Sequence, residues 1–372
     1  MEREYLSIVI DGEEAADLYA DLCSLEVELD DDLAAQFRLR LSIDRERDGS
    51  WRYLDDERLR VWRQVTISAG LGDELEELID GYITHVRPAF DPDPAQCTLE
   101  IWGMDRSVLL DREEQLRAWP NKKDSDIATE IFDGYALLPA NRDAEIEDTT
   151  LVHDEKVSTI IQRETAMQFL RRLAARNGFV CYVENGAGYF RSPQLDAPPQ
   201  PVLAVHFGSE ETNVERFTLE VNALTPTEVA MCQIDRLNKA VLSVGAAASR
   251  QHALGSNDAA NLLAPGIAPG LIVAQAATTG TPELSALCQG LYHQAEWFVT
   301  GEGEVNANRY GHVLRPRRTV TIKGIGESYS GVYYVTHVTH RFGESGYSQH
   351  FRVKRNALMP GGSEDFAPTE EI

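Results

Sequence analysis

Basic residues are scarce in this sequence. Its 372 residues carry 35 Lys and Arg against 60 Asp and Glu, a formal net charge of −25. Binding to nucleic acid or to an anionic membrane surface needs clustered cations, so the balance argues against both as partners. Cysteine is sparse as well. Cys23, Cys97, Cys181, Cys232 and Cys288 are odd in number, dispersed, and never spaced as Cys-x-x-Cys, which implies neither a disulfide scaffold nor a zinc cluster. Long apolar runs are missing too. The softest stretch, Leu262 to Ala277, is broken by Pro265, Gly266, Pro269 and Gly270, so no membrane insertion is expected. Met1 to Tyr5 lead straight into the strand candidate Leu6–Ile10 with no signal-peptide core, and synthesis in the cytoplasm is expected.

Signature chemistry is equally thin. The sequence has no Gly-x-Ser-x-Gly and no His-Glu-x-x-His. His337 and His340 are a close pair, but three positions apart on a strand they point to opposite faces and cannot readily share a metal ion. Gly324-Ile325-Gly326-Glu327 lacks the Lys-Ser/Thr and the helix of a phosphate loop and reads as a turn. Asp30-Asp31-Asp32 reads as a solvated turn, because the alternating acids and later Glu of a calcium loop are absent. Among sixty acids no carboxylate pair singles itself out. No catalytic, cofactor-binding or metal residue is assigned, and no cofactor is expected.

What the sequence does contain is a repeated strand pattern. Hydrophobic residues at 43% and charged residues at 26% describe a folded globular chain, long enough for two to four domains. Thr319 to Ile322, Gly331 to His340 and Tyr347 to Lys354 are three antiparallel strand candidates, separated by the glycine-rich turn 324–331 and the loop Gly343 to Gly346. The outline recurs early in the chain. Arg63 to Ile67 resembles Arg318 to Ile322, Gly81 to Val86 resembles Val332 to Val338, and Gln96 to Ile101 resembles Gln349 to Val353. Val65, Ile67, Ile83, Val86, Val320, Ile322, Val335 and Val338 are the expected barrel core. One β-unit used twice has a consequence for symmetry: three such chains present six similar units around one axis.

The fold expected is mainly β with an α+β insert: two similar β-barrel domains plus a smaller helical and hairpin domain. Residues 1–110 form the first barrel, with strand candidates at Cys23–Leu29, Ala35–Ser42, Leu59–Ser68 and Cys97–Gly103 and a short helix near Asp73 to Leu78. Residues 111–195 are the insert. Its main helix runs from Thr165 to Asn177 with Met167, Phe169, Leu170, Leu173 and Ala174 on one face, and a hairpin turns at Asn185-Gly186. Residues 196–244 begin the second barrel, 245–300 are an Ala/Gly-rich connection followed by a helix from Thr281 to Val299, capped by Thr281, and 301–358 complete the barrel. Residues 359–372 are expected to be disordered.

Glu164 to Phe179, a helix-Gly-strand segment, and Gly331 to Arg355, closing strands with a central His, make the order of parts similar to the phage late control protein D family and the hub half of VgrG-type proteins. The likeness in layout spans about residues 1–358. It implies a structural, non-enzymatic baseplate hub. Such a hub is a homotrimer joining the hexameric inner tube to a trimeric spike, among other baseplate proteins, in a contractile phage tail or tail-like injection particle. VgrG-type chains continue into a spike, so here the spike is expected as a separate protein. Two other readings stand beside the hub: a tail-associated hydrolase, and a carbohydrate- or receptor-binding tail-tip protein.

Overall fold

The computed structural model describes residues 4–71, 75–156, 159–208, 211–226, 228–235, 238–263, 270–273, 280–344, 346–362, 364 and 366. The first part contains β1 (Glu4–Ile10), β2 (Glu13–Glu14), β3 (Leu22–Asp30), β4 (Gln36–Ser42), β5 (Gln64–Leu71), β6 (Leu75–Ala89) and β7 (Thr98–Asp105). Alternation along β4 places Phe37, Leu39 and Leu41 in the core and leaves Gln36, Arg38 and Arg40 exposed. The acidic stretch expected as a short helix near Asp73 to Leu78 is instead the start of β6. Leu75 opposes Gly70 and Ile79 opposes Ile67, so ladder pairing with β5 overrides the helical spacing of the acids; Asp73 itself lies outside the described residues.

The insert comprises β8 (Glu114–Trp119), α1 (Asp124–Gly134), α2 (Arg142–Glu145), β9 (Ile160–Thr165), α3 (Ala166–Asn177), β10 (Val180–Glu184) and β11 (Ala187–Arg191). Thr165 caps α3 by accepting the Gln168 N–H at 3.3 Å, and Gly178, left-handed at φ 71°, ends it. The expected apolar face of α3 is buried, with Trp119 stacked 6.2 Å from Phe169. Asn185 and Gly186 both have positive φ, which matches the right-handed twist of the β10–β11 hairpin.

The remainder holds β12 (Gln200–Ala204), β13 (Val214–Val221), β14 (Glu228–Asp235), β15 (Ala240–Ala246), β16 (Asn257–Asp258), α4 (Ala259–Leu263), β17 (Gly270–Val273), α5 (Thr281–Ala295), β18 (Val299–Asn306), α6 (Ala307–Tyr310), β19 (Thr319–Lys323), β20 (Gly331–Gly343), β21 (Gly346–Arg355) and β22 (Ala357–Leu358). The β14–β15 hairpin pairs with β17 in a three-stranded sheet of its own, covered by Leu284, Cys288 and Tyr292 of α5. The stretch expected as an extended connection thus contributes β16, α4 and β17, although residues 264–269 and 274–279 lie outside the described residues. Helix α5 has Gly280 rather than Thr281 at the cap position and stops at Ala295, because Val299 is already paired with Val221 and Arg355. Most of the tail expected to be disordered, 363, 365 and 367–372, lies outside the described residues.

The protein is mainly β with an α+β insert, and its two large β-units are alike. They do not close separately as the two expected barrels. Instead one 13-stranded sheet runs through both, and an uninterrupted stretch of it reads β13-β18-β21-β20-β3-β4-β7-β6. Among the described residues no barrel is closed. The sheet carries two cores, one built on Leu25, Phe37, Leu41 and Ile67, the other on Val320, Tyr333, Val338 and Phe351, and the insert has a third on Trp119, Phe132, Phe169 and Phe190.

Candidate functional site

The repetition reaches individual hydrogen bonds. Strands β3-β4-β7-β6-β5 are neighbours in the first unit and β13-β18-β21-β20-β19 in the second, with every neighbouring pair antiparallel. Tyr82 opposes Gln64 and Met104, and Tyr334 opposes Thr319 and Lys354. Each ladder then slips by one residue at a threonine. The Thr84 hydroxyl donates to the Trp102 carbonyl at 3.3 Å and the Thr336 hydroxyl to the Arg352 carbonyl at 3.2 Å. Trp62 and Arg317, both with positive φ, donate their N–H to the Ile83 and Val335 carbonyls at 2.7 and 2.8 Å. A second irregularity, between Leu22 and Ser24, recurs between Val214 and Arg216. Bulges fix register locally, so coincident bulges mark the same structural unit.

Two details differ from the sequence comparison. Ile101 opposes Val86 and Phe351 opposes Val338, so Ile101 matches Phe351 rather than Val353, and the β6–β7 connection is two residues longer than its counterpart. Neighbouring the repeat, β1 runs antiparallel to β5 whereas β12 runs parallel to β19.

The two units meet where β20 pairs with β3, His337 opposite Asp30 through Phe342 opposite Leu25. Asp31 donates its N–H to the Thr336 carbonyl at 2.8 Å. Three polar contacts cross or flank this junction: the His337 ring Nδ1 lies 3.0 Å from the Asp30 carboxylate, and two ion pairs join Arg341 to Glu26 at 3.2 Å and Lys354 to Asp31 at 3.0 Å. The acidic triplet expected as a solvated turn therefore spends two of its three carboxylates holding the units together. Burial disfavours the Asp30 carboxylate, but the His337 hydrogen bond and the N–H groups of Asp32 and Leu33 carry its pKa down to about 2. At Asp31 burial wins and raises the pKa, with Lys354 countering.

The insert is clamped to the same place. Arg317, nearly buried, donates one guanidinium N–H to Glu184 at 2.8 Å and another to the Asp30 carbonyl, with its guanidinium 4.1 Å from the Tyr182 ring. Arg315 reaches Glu76 and the Glu77 carbonyl of β6. One short segment thus binds β3, β6 and β10 together. His340 is fully buried, and burial with Arg315 nearby keeps its pKa far below the ordinary range; its Nδ1 lies 2.8 Å from the Tyr347 hydroxyl. His337 and His340 accordingly serve different partners.

Seven of the eight expected core residues are buried: Val65, Ile67, Ile83, Val320, Ile322, Val335 and Val338. Val86 is 37% exposed. Its counterpart Val338 is covered because β3 lies alongside β20, and among the described residues β6 has no such neighbour over residues 85–89. The structure also brings together residues that sequence reading did not single out. His153 lies 2.7 Å from Asp124, whose other oxygen accepts from Asn177 at 2.8 Å, tying the start of α1 to the end of α3. These positions are 29 and 53 residues apart, so no local pattern could reveal them. No helix among the described residues is long and apolar enough to cross a membrane, and no group of three or more metal-ligating side chains occurs among them.

Comparison with solved structures places the fold among tail proteins. The tail protein of Neisseria meningitidis MC58 matches with a TM-score of 0.69 at 14% identity, over 95% of this chain and 97% of that one. The 43 kDa tail protein of prophage MuSo2 from Shewanella oneidensis gives 0.67 at 12% identity, over 96% and 100%. The E. coli c3393 protein, a type VI secretion component described as similar to the T4 tail proteins gp27 and gp5, gives 0.55 at 12% identity, over 98% and 80%. Identity this low establishes a common fold and no more. A comparison with curated proteins found no match. The family model that matches is not that of late control protein D: it is the Alg8 N-terminal domain, aligned over residues 3–344, and the chain belongs to that family.

Proposed function

We propose that this chain is a structural hub, a homotrimer whose two β-units per copy imitate a ring of six. It joins a hexameric inner tube to a trimeric spike in a contractile phage tail or tail-like injection particle, in contact with other baseplate proteins, and it carries no catalytic site. The observation that carries the proposal is the repeated unit, matched down to its bulges and their hydrogen bonds. A six-fold partner needs six equivalent surfaces and a three-fold partner needs three; a duplicated unit in a trimer supplies both. The fold shared with tail proteins supports this reading, as does the sequence resemblance to late control protein D and VgrG-type hubs. We divide the chain into a first unit at 1–110, an insert at 111–195, and a second unit at 196–244 and 301–358 split by the 245–300 segment.

The test is the mass of the purified protein and its binding to tube and spike. Three copies of a 41.5 kDa chain weigh about 125 kDa. A trimer that captures tube subunits supports the hub. A monomer at all accessible concentrations, with no affinity for either partner, refutes it.

A further inference from the structure

The insert meets α5 along a seam where α3 and α5 pack so closely that a Cβ on Gly290 would lie 2.7 Å from the Ala175 carbonyl oxygen. Beside that contact two cavities of about 590 and 700 Å³ adjoin, sharing Gly178, Phe179, Pro193, Gln251 and His293 as walls. Both fall in the size range of small-molecule sites. Three cations line the smaller one. Arg172 is paired with Glu164 at 2.8 Å and Lys354 with Asp31 at 3.0 Å. Arg171 is left over: its Nε and Nη2 are covered and have no hydrogen-bond partner among the described residues. Those two nitrogens form the side-on edge of the guanidinium, which takes both oxygens of a carboxylate in parallel N–H···O bonds. Keeping that edge dry and unpaired costs free energy.

Two neighbours on the shared wall add to this. The Gln251 side-chain N–H donates to the His293 carbonyl at 3.1 Å, which fixes the amide's orientation and leaves its Oε1 covered and without a donor. His293 is held neutral, because burial and Arg250 bring its pKa down to about 4. Its Nε2 accepts the Arg250 N–H at 3.4 Å and lies 2.9 Å from the Gln289 amide nitrogen, so the ring proton sits on Nδ1. Nδ1 faces Gly178, where a Cβ would come within 2.8 Å of it. The wall thus offers a guanidinium edge, a ring N–H and an unused carbonyl oxygen.

We propose that the smaller cavity binds a small monocarboxylate that carries an N–H or O–H donor next to its carboxylate. Arg171, a long side chain on the cavity wall, turns its side-on edge to the two carboxylate oxygens. Gln251 Oε1 accepts from the neighbouring donor, His293 Nδ1 supplies a third contact, and Phe179 and Pro193 cover the apolar part. One negative charge is what the site can hold. Arg172 and Lys354 already answer carboxylates of their own, and exposed Asp32, which also lines the cavity, repels a dianion such as phosphate. Bound there, the ligand ties α3 to the segment that carries Gln251 and His293.

Titration calorimetry on the full chain tests the site with four probes: N-acetylglycine, which has an amide N–H beside the carboxylate, glycolate, which has a hydroxyl there, acetate, which has neither, and inorganic phosphate. N-acetylglycine or glycolate should bind with a Kd of about 1 mM, about ten-fold tighter than acetate, and the tighter of the two identifies the donor. Phosphate should not bind. Arg171→Lys keeps the charge but loses the two-nitrogen edge, and should weaken the better probe about ten-fold. Gln251→Leu should bind that probe no tighter than acetate. Absence of binding to wild type at about 50 mM probe, binding that neither substitution changes, or phosphate bound as tightly as the carboxylates would overturn the proposal. So would strong coupling between Arg171→Ala and Asp32→Ala in the stability of the ligand-free chain, which would make Asp32 the missing partner. Each of these outcomes leaves the hub reading as it stands.

Discussion

Removing the Arg317 guanidinium should destabilise the fold more than any exposed charge change. Arg317 has 7% of its side chain exposed and Glu184 18%, and their hydrogen bond is 2.8 Å long. Burial raises the Glu184 pKa, and the Arg317 charge more than compensates, holding it below the ordinary range. Arg317→Ala strands that carboxylate in a poorly solvated place, which costs about 3–5 kcal/mol for a broken buried pair. Loss of the contact with the Tyr182 ring adds about 0.5–1 kcal/mol. Arg317→Ala with Glu184→Ala leaves no orphan charge and should recover about 1–3 kcal/mol of that loss. The pH dependence follows from the depressed carboxyl. Its stabilising contribution is complete above the unfolded value and is lost as pH falls through the lower folded value, so the Arg317→Ala deficit is full at pH 7 and shrinks below about pH 4. Urea unfolding followed by Trp119, buried in the insert, reads both effects. A single variant within about 1 kcal/mol of wild type, or a double variant no better than the single, would refute the reasoning.

Glu296 responds to pH in the opposite sense. Burial pushes its pKa from 4.5 up to about 7, so the folded protein keeps a proton that the unfolded chain releases, and stability falls as pH rises through that window. At about 1.4 kcal/mol per pH unit, Glu296→Gln should gain up to about 3 kcal/mol at pH 8 and nothing at pH 4, measured by thermal unfolding at both. Gly324 has a φ of 86°, and a Cβ there would lie 1.8 Å from the Val205 carbonyl oxygen. Gly324→Ala should therefore lower stability by about 2 kcal/mol or more, disturbing the β12–β19 pairing first; hydrogen exchange at Val205, which donates to the Lys323 carbonyl, reports it.

Local features were legible in the sequence because local forces decide them. The α3 face, its Thr165 cap and Gly178 stop, the Asn185-Gly186 turn and the 319–355 strands all follow from spacing and turn chemistry. The duplication was legible as well, through Thr-His-Val and its neighbours. Its third strand was placed two residues out of step because a loop-length difference is invisible without pairing. What escaped was set by partners far along the chain. Asp30 and Asp31 look like a solvated turn until His337 and Lys354 arrive from more than 300 residues away. The start of β6 looks helical until β5 claims it. Val86 looks like core because its twin is core, yet it is 37% exposed, because β3 pairs with β20 beside Val338 and among the described residues no strand does so beside Val86.

Imaging the purified assembly down its axis tests the central claim most directly. Three chains with duplicated units should give a closed ring of six lobes that are nearly, but not fully, equivalent, with the α+β inserts breaking six-fold to three-fold symmetry outside the channel. An assembly in which the 1–110 and 301–358 units sit at different radii, or encircle no common axis, would contradict it.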